Sequence, residues 1–343
     1  MDFPGEKLVI KMWETLVDKG VGCLLQPWHE KRLGQVRNKI RSDEILMLAD
    51  TERYVSEIKA GRAIYIEGSK IKLIDFKNIK TEPLVENDSA LNIPKLALRA
   101  IEIEKSEALR KEININKAIL IAEDILAEDI QEPSNRKIED DWLFSWRDYA
   151  CNVSALELQD LWGRILAGEV KNPGSYSLRT LQFLKSLNKE EAEIISKVAQ
   201  FVVDGAIHRN KEEFLEKKGI EFSDLIFLQE LGILSGVDKI GLSLTYFSVK
   251  QDKLQVTLKS NNKVIMLKHD DVNKSVTLSV YLVSAIGKQI FGINKFKSDE
   301  AYLAAIAKEY AKQGFKVSIG DLEKVTDSTE NMTNIEEVIV NIE

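Results

Sequence analysis

From Lys95 to Asp129 the chain runs 35 residues without a glycine or a proline. That uninterrupted stretch limits what the sequence can build, because Gly and Pro are the strongest local breakers of regular structure. Leu98, Ile101, Ala108, Ile115, Ile119, Ala122 and Leu126 recur along it at helical spacing. Strands average about five or six residues, so a run of this length predicts one long amphipathic helix. A second run precedes it. Between His29 and Ala63 there is no proline, only Gly34 and Gly61 interrupt, and Leu33, Val36, Ile40, Met47, Tyr54 and Ile58 follow steps of three and four once Asp43 and Asp50 are admitted to the seam. Such a helix spans about 50 Å at 1.5 Å per residue. Gly68 to Asn92 reads as a connector with some extended structure, and Pro94 suits the first turn of the second helix. Two long helices and a connector give a helical hairpin of coiled-coil type over residues 29–132. Ile115, Ile119 and Leu126 are then the seam through which copies of the chain self-associate.

Ahead of the hairpin, residues 1–28 contain an amphipathic segment in which Val9, Met12, Trp13, Leu16 and Val17 lie on one side and Lys11, Glu14 and Asp18 elsewhere. Behind it, Gln131 to Asp141 is polar and reads as a linker. Residues 139–205 are well punctuated. Ser154 and Glu157 have capping-box spacing, Ser177 can cap a second helix, and Asn188 with Glu191 repeats the box for a third. Gly168 reads as the end of the first of these helices, and Asn172-Pro173-Gly174 as a turn.

After residue 205 the period changes from helical to alternating. A helix over Phe222–Leu231 closes at Gly232; Leu242, Leu244 and Tyr246 alternate, as do Leu254, Val256 and Leu258, then Val264 and Met266, then Val276, Leu278 and Val280. Helices follow near Leu282–Ile290 and Asp299–Gln313, and Phe315 to Ile319 reads as an edge strand. Residues 206–322 therefore form a small winged-helix-like α+β module. Residues 323–343 carry six acids against Lys324 and read as an acidic tail. The whole is a mainly α fold: a long hairpin, a short-helix bundle and the α+β module.

Composition narrows the functional classes. The 343 residues are 44% apolar and 30% charged, the balance of a chain with a core, which excludes wholesale disorder and collagen-like or disulfide scaffolds. A formal net charge of −7 argues against a uniformly basic nucleic-acid binder. Cys23 and Cys151 form no CxxC pair, which suits a reducing compartment. Asp2, Glu6, Lys7 and Lys11 break up any leader at the start, and no apolar run approaches the ~20 residues of a spanning helix. The expected setting is cytoplasmic.

Chemistry has no visible carrier. His29, His208 and His269 lack a second His at i+4 or a Cys partner, and each reads as a surface or boundary histidine. There is no GxSxG elbow, no GxxxxGK[ST] loop and no GxGxxG turn. The acidic pairs Glu123-Asp124 and Glu128-Asp129 and the run Glu139–Asp141 read as solvated faces. No catalytic residue, cofactor or metal site is assigned. Three surfaces remain. Trp13 and Trp28 followed by Lys31 and Arg32 are a candidate contact with an anionic bilayer. Lys259, Lys263 and Lys268 on the alternating strands are a candidate contact with nucleic-acid phosphates, although Phe222–Leu231 carries no Lys or Arg for groove entry. Trp142, Trp146 and Trp162 are either a core or an anchor for a partner.

The stretch from Trp142 to Leu187, with LQDLWGRILAGE and NPGSYSLRTL as its most specific pieces, resembles an uncharacterised bacterial family, the domain of unknown function numbered 2806. The start, GEKLVIKMWETLVDKGVGCLLQPW, resembles it as well. A more distant likeness is to the abortive-infection alpha family, in which a comparable leucine-tryptophan helix precedes a winged module. The first resemblance implies a bacterial cytoplasmic protein without assigned catalytic residues; the second implies a part in phage defence. Residues and resemblance together give a non-enzymatic interaction protein, a sensor or effector of antiviral defence acting as a homo-oligomer. A nucleic-acid-binding regulator using the winged module and a membrane-surface effector using residues 5–41 are the alternatives.

Overall fold

The computed structural model describes residues 3–21, 37–59, 63–66, 70–73, 93–238, 241–248, 252–326 and 329–338. They belong to two compact units, Met1–Gly174 and Ser175–Glu343. The fold is mainly α, with a two-stranded hairpin and two four-stranded antiparallel sheets. Among the described residues, no helix is long and apolar enough to cross a membrane.

The first unit is built on one helix. It contains α1 (Glu6–Asp18), α2 (Arg37–Lys59), a hairpin of β1 (Ala63–Ile66) and β2 (Lys70–Leu73), α3 (Ile93–Ala127), α4 (Asp140–Ala150) and α5 (Leu156–Lys171). Helix α3 packs against α1, α2, α4 and α5. Its two halves behave differently. Ile101 and Ile103 are 48% and 46% exposed, whereas Ile113, Ile115, Ala118, Ile119, Leu120, Ala122, Leu126 and Ala127 are all buried. A helix apolar on most sides must be enclosed, and the second half of α3 is. The expected self-association seam is corrected by this burial: Ile115, Ile119 and Leu126 are 3%, 0% and 0% exposed within a single chain, so neighbouring helices already occupy the surface they would offer a second copy.

Helix α2 packs on α3 and on β1, and Lys117 Nζ reaches Glu52 Oε2 at 2.6 Å. Its buried positions are Leu48, Val55 and Ile58, while Met47 and Tyr54 are half-buried. The inward stripe keeps Ile58 from the stripe read along the sequence but takes Leu48 and Val55 in place of Met47 and Tyr54, a turn of one residue, roughly 100° at 3.6 residues per turn, over that part of the helix.

Helix starts are mostly where the capping residues put them. Asn188 and Glu191 form a reciprocal capping box, and Ser177 Oγ accepts from the Thr180 amide at 3.2 Å. Ser154 does not cap. The N-cap of α5 is Ala155, without a side-chain hydrogen bond, and Ser154 Oγ accepts from Asn114 Nδ2 at 3.4 Å instead. Helix α5 also runs through Gly168 to Lys171, because its tertiary packing on α3 outweighs the roughly 1 kcal/mol helix penalty of one glycine.

The second unit contains α6 (Leu178–Ser186), α7 (Lys189–Ala199), β3 (Ala206–His208), a 3-10 turn leading into α8 (Glu212–Lys217), α9 (Phe222–Glu230), β4 (Leu234–Ser235), β5 (Leu242–Tyr246), β6 (Leu254–Ser260), β7 (Lys263–His269), β8 (Val276–Val283), α10 (Ala285–Phe291), α11 (Glu300–Lys312), β9 (Lys316–Thr326) and β10 (Thr329–Glu337). One sheet has the order β3-β8-β4, with β5 also pairing with β8; the other has the order β10-β9-β7-β6. The alternation read for β6 and β8 holds, with Leu254, Val256 and Leu258, and Val276, Leu278 and Val280, all buried. In β7 the buried set is Val264, Ile265 and Leu267. Two expectations change. The strand after Phe315 is not at an edge, since β9 lies between β7 and β10. The first part of the expected acidic tail is β structure: β9 continues to Thr326 and returns as β10.

Candidate functional site

The most recognisable stretch of the sequence is framework. Trp142, Trp146 and Trp162 are 3%, 0% and 1% exposed, and Trp146 Nε1 donates to the Trp162 carbonyl at 2.9 Å. They form the core of the first unit and leave no exposed ring to anchor a partner. An added Cβ on Gly163 would stand 2.7 Å from Ile121 Cγ2 and 2.9 Å from the Ala118 carbonyl, so this glycine lets α5 lie close against α3. Gln159, 0% exposed, donates to Asn114 Oδ1 and the Val153 carbonyl, both at 3.3 Å. Asn114 Nδ2 in turn donates to the Cys151 carbonyl at 2.9 Å. This buried polar chain ties α3 to the loop between α4 and α5. At the far end of α5, the Gly174 amide donates to Glu169 Oε1 at 2.5 Å, which closes the Asn172-Pro173-Gly174 turn.

Beside that turn lies a cleft of about 480 Å³, walled by the polar face of α1 and the segment from Ser134 to Asp140, with the buried side chain of Ile138 in its lining. Lys11 Nζ donates to the Ser134 carbonyl at 2.7 Å and to the Val170 carbonyl, near the end of α5, at 3.3 Å. Burial pushes the pKa of this ammonium down, since desolvation disfavours the charged form. Lys19 is held differently. Its ammonium meets Asp140 at 2.8 Å and Asp18 at 3.7 Å, and the Asp140 hydrogen bond is the main reason its pKa is raised. Arg136 and Lys137 are exposed on the opposite wall. An added Cβ on Gly174 would stand 3.2 Å from the Arg136 Nη2; the guanidinium lies directly on the turn.

Trp13 does not face outward. It is 2% exposed, and its Nε1 donates to Glu123 Oε2 at 3.3 Å. Glu123 is itself 4% exposed, so it is a buried partner of α1 rather than part of a solvated face. The bilayer contact loses this aromatic; Trp28, Lys31 and Arg32, its other members, lie outside the described residues, as do Cys23 and His29.

The lysines of the second unit do not act as one group. Lys263 Nζ sits between Glu300 at 3.0 Å and Asp321 at 2.9 Å, with its pKa raised chiefly by the Asp321 hydrogen bond. Lys259 is exposed on β6. Lys268 is exposed on β7 directly across from Lys316 on β9, and both line a smaller cleft of about 250 Å³ with Lys253, Asp252 and Asp270.

His208 is 4% exposed and is corrected from a boundary histidine to a core one; His269 is half-buried and accepts the Asp271 amide on Nδ1 at 3.0 Å. Among the described residues no three His, Cys, Asp or Glu side chains are grouped to hold a metal ion.

The remaining feature is β5. Among the described strands it pairs with β8 alone. Its burial alternates weakly, with Leu242, Ser243 and Thr245 exposed and Leu244 and Tyr246 half-buried. Leu242 and the adjacent Phe247 are 39% and 69% exposed. From Ile240 to Val249 the chain has no charged residue, and that uncharged run was the signal available in the sequence for this edge. Lys11 carried no comparable signal, because it is distant in the chain from Arg136 and Lys137 and only the packing of α1 beside α5 brings it near them.

Residues 98–215 match the family model described as Protein of unknown function (DUF2806). The matched segment contains the whole Trp142–Leu187 stretch and supports the first resemblance stated for it. No curated protein matches the chain, and no solved structure does. Nothing in the comparisons carries the abortive-infection likeness.

Proposed function

We propose that the chain is a non-enzymatic interaction protein that works by self-association, with β5 as the contact strand. The observation that carries this reading is the exposed β5 edge. An edge strand offers a row of backbone donors and acceptors to another chain, and proteins that avoid such pairing place charges, prolines or bulges there. Leu242 to Phe247 has none of the charges or prolines, and two of its large apolar side chains are exposed. Two copies meeting edge to edge extend the sheet and cover Leu242 and Phe247 together.

The finer fold reading supports a protein partner rather than nucleic acid. Helices α7, α8 and α9 with the strand order β3-β8-β4 are read as a winged helix whose wing is β5 and β8; the β6–β7 hairpin lies between those two strands in the chain, and β9 and β10, which follow α11, complete its sheet. Helix α9, which would enter a groove, carries Asp224 and Glu230 and no Lys or Arg, a poor surface for base edges. The hairpin of α2 and α3 is read as coiled-coil-like, with its seam used inside the chain. A place in phage defence rests on the abortive-infection resemblance alone, and a cytoplasmic setting on composition and the first resemblance.

Light scattering tests the reading. The full chain is expected at twice its 38.9 kDa mass at high concentration, and Ser243→Lys with Phe247→Lys is expected to return it to the single-chain mass. A wild-type chain that stays at 38.9 kDa at every concentration, or a double variant with unchanged assembly, overturns it.

A further inference from the structure

Independently of self-association, we propose that the cleft between α1 and the Ser134–Asp140 segment binds the phosphate monoester group of a small molecule.

The first ground is charge. Seven ionic side chains line the cleft: Lys11, Lys19, Arg136 and Lys137 against Glu14, Asp18 and Asp140. Lys19 pairs with Asp140 at 2.8 Å and lies 3.7 Å from Asp18, so its one charge offsets one of these two carboxylates. The lining as a whole carries a formal surplus of one positive charge, with Lys11, Arg136 and Lys137 as its further cations, and an anion entering the cleft would offset it. A phosphate monoester carries about −1.5 to −2 at neutral pH.

The second ground is the holding of Lys11. A half-buried ammonium ordinarily meets a carboxylate; this one is held by two neutral carbonyls, those of Ser134 and Val170. Its desolvation is offset only in part, and an anion in the cleft supplies the missing countercharge. The third ground is the setting of Arg136. Its guanidinium occupies the space that a side chain at position 174 would fill, so the glycine turn of the family segment gives the arginine its place on the cleft wall. A planar guanidinium pairs two-pronged with phosphate oxygens, and the neighbouring ammonium groups add point charges. At about 480 Å³ the cleft is in the size range of small-molecule sites, roughly 300–1,000 Å³.

Isothermal titration of the full chain with phenyl phosphate, and with succinate and phenol as controls, tests the proposal. Saturable one-site binding of phenyl phosphate is expected, weaker by about tenfold or more in Arg136→Gln, with phenol not bound. Arg136 is exposed, so this variant keeps the fold, and a thermal melt verifies it; Lys11→Met is the second variant and should lose binding as well. No binding of phenyl phosphate, binding undiminished in both variants, or succinate bound as tightly as phenyl phosphate overturns the proposal. None of these outcomes changes the mass measured for the β5 variants, so the two readings fail separately.

Discussion

His208 occupies the last position of β3, with its amide donating to the Tyr302 hydroxyl at 2.9 Å and its ring edge-to-face against Tyr302 at 6.3 Å. Its Nε2 is buried without a hydrogen-bond partner among the described residues. Burial lowers its pKa from 6.5 to about 4, with the Glu309 carboxylate pulling more weakly the other way. The folded chain therefore keeps the imidazole neutral where the unfolded chain would protonate it. Its contribution to stability is complete above pH 6.5, declines as the pH falls from 6.5 towards 4, and is flat below, where both states hold the proton. At 1.36 kcal/mol per pKa unit the loss across that window is about 3 kcal/mol. The urea midpoint of the native chain is expected to fall more steeply over the window than that of His208→Leu; parallel curves would refute the assignment. Nothing in the residues around position 208 announced this. Asn210, Lys211 and Glu212 suggest a surface, and only the return of α11, carrying Tyr302 and Glu309, encloses the ring.

At the level of elements, local chemistry was readable wherever the partner lay within a few residues. The Asn188–Glu191 box and the Ser177 cap are both present. It failed where a distant group competed. Ser154 gives its oxygen to Asn114 on α3 rather than to its own helix, and Gly168 stays helical because α5 is gripped on both sides of it. Gly163 is the sharpest case of packing against propensity. In an isolated helix, alanine would be better by about 1 kcal/mol. Here the new methyl would overlap Ile121 and the Ala118 carbonyl, and overpacking of this kind costs about 1–3 kcal/mol. Gly163→Ala is therefore expected to lower stability in chemical denaturation, by about 1 kcal/mol net; a stabilised variant would show that α3 and α5 part freely.

Across the whole molecule, the sequence disclosed the helix-rich first part and the strand-rich second part, because period is a local property. It did not disclose what each apolar face meets. Ile115, Ile119 and Leu126 looked like a seam for a second copy, but the helices packed on α3 come from residues 6–18, 37–59, 140–150 and 156–171, separations that spacing along α3 does not report. If self-association runs through β5 instead, dimer formation adds to folding stability by mass action. The thermal midpoint of the native chain should then rise with protein concentration, while that of the Ser243→Lys, Phe247→Lys variant should not; identical behaviour of the two would count against the edge contact.

Helix α1 is fastened to the first unit by more than its apolar stripe. The Gly5 amide donates to the Ala127 carbonyl at 3.1 Å, Lys11 spans two carbonyls, and Trp13 covers the buried Glu123. Peeling this helix away, onto a bilayer or into another protein, would break the Trp13–Glu123 hydrogen bond and uncover Leu8, Met12 and Leu16 together with the face they seal. The amino-terminal segment is thus a keystone for α3, and a partner that recruits it must first dismantle the wall it closes.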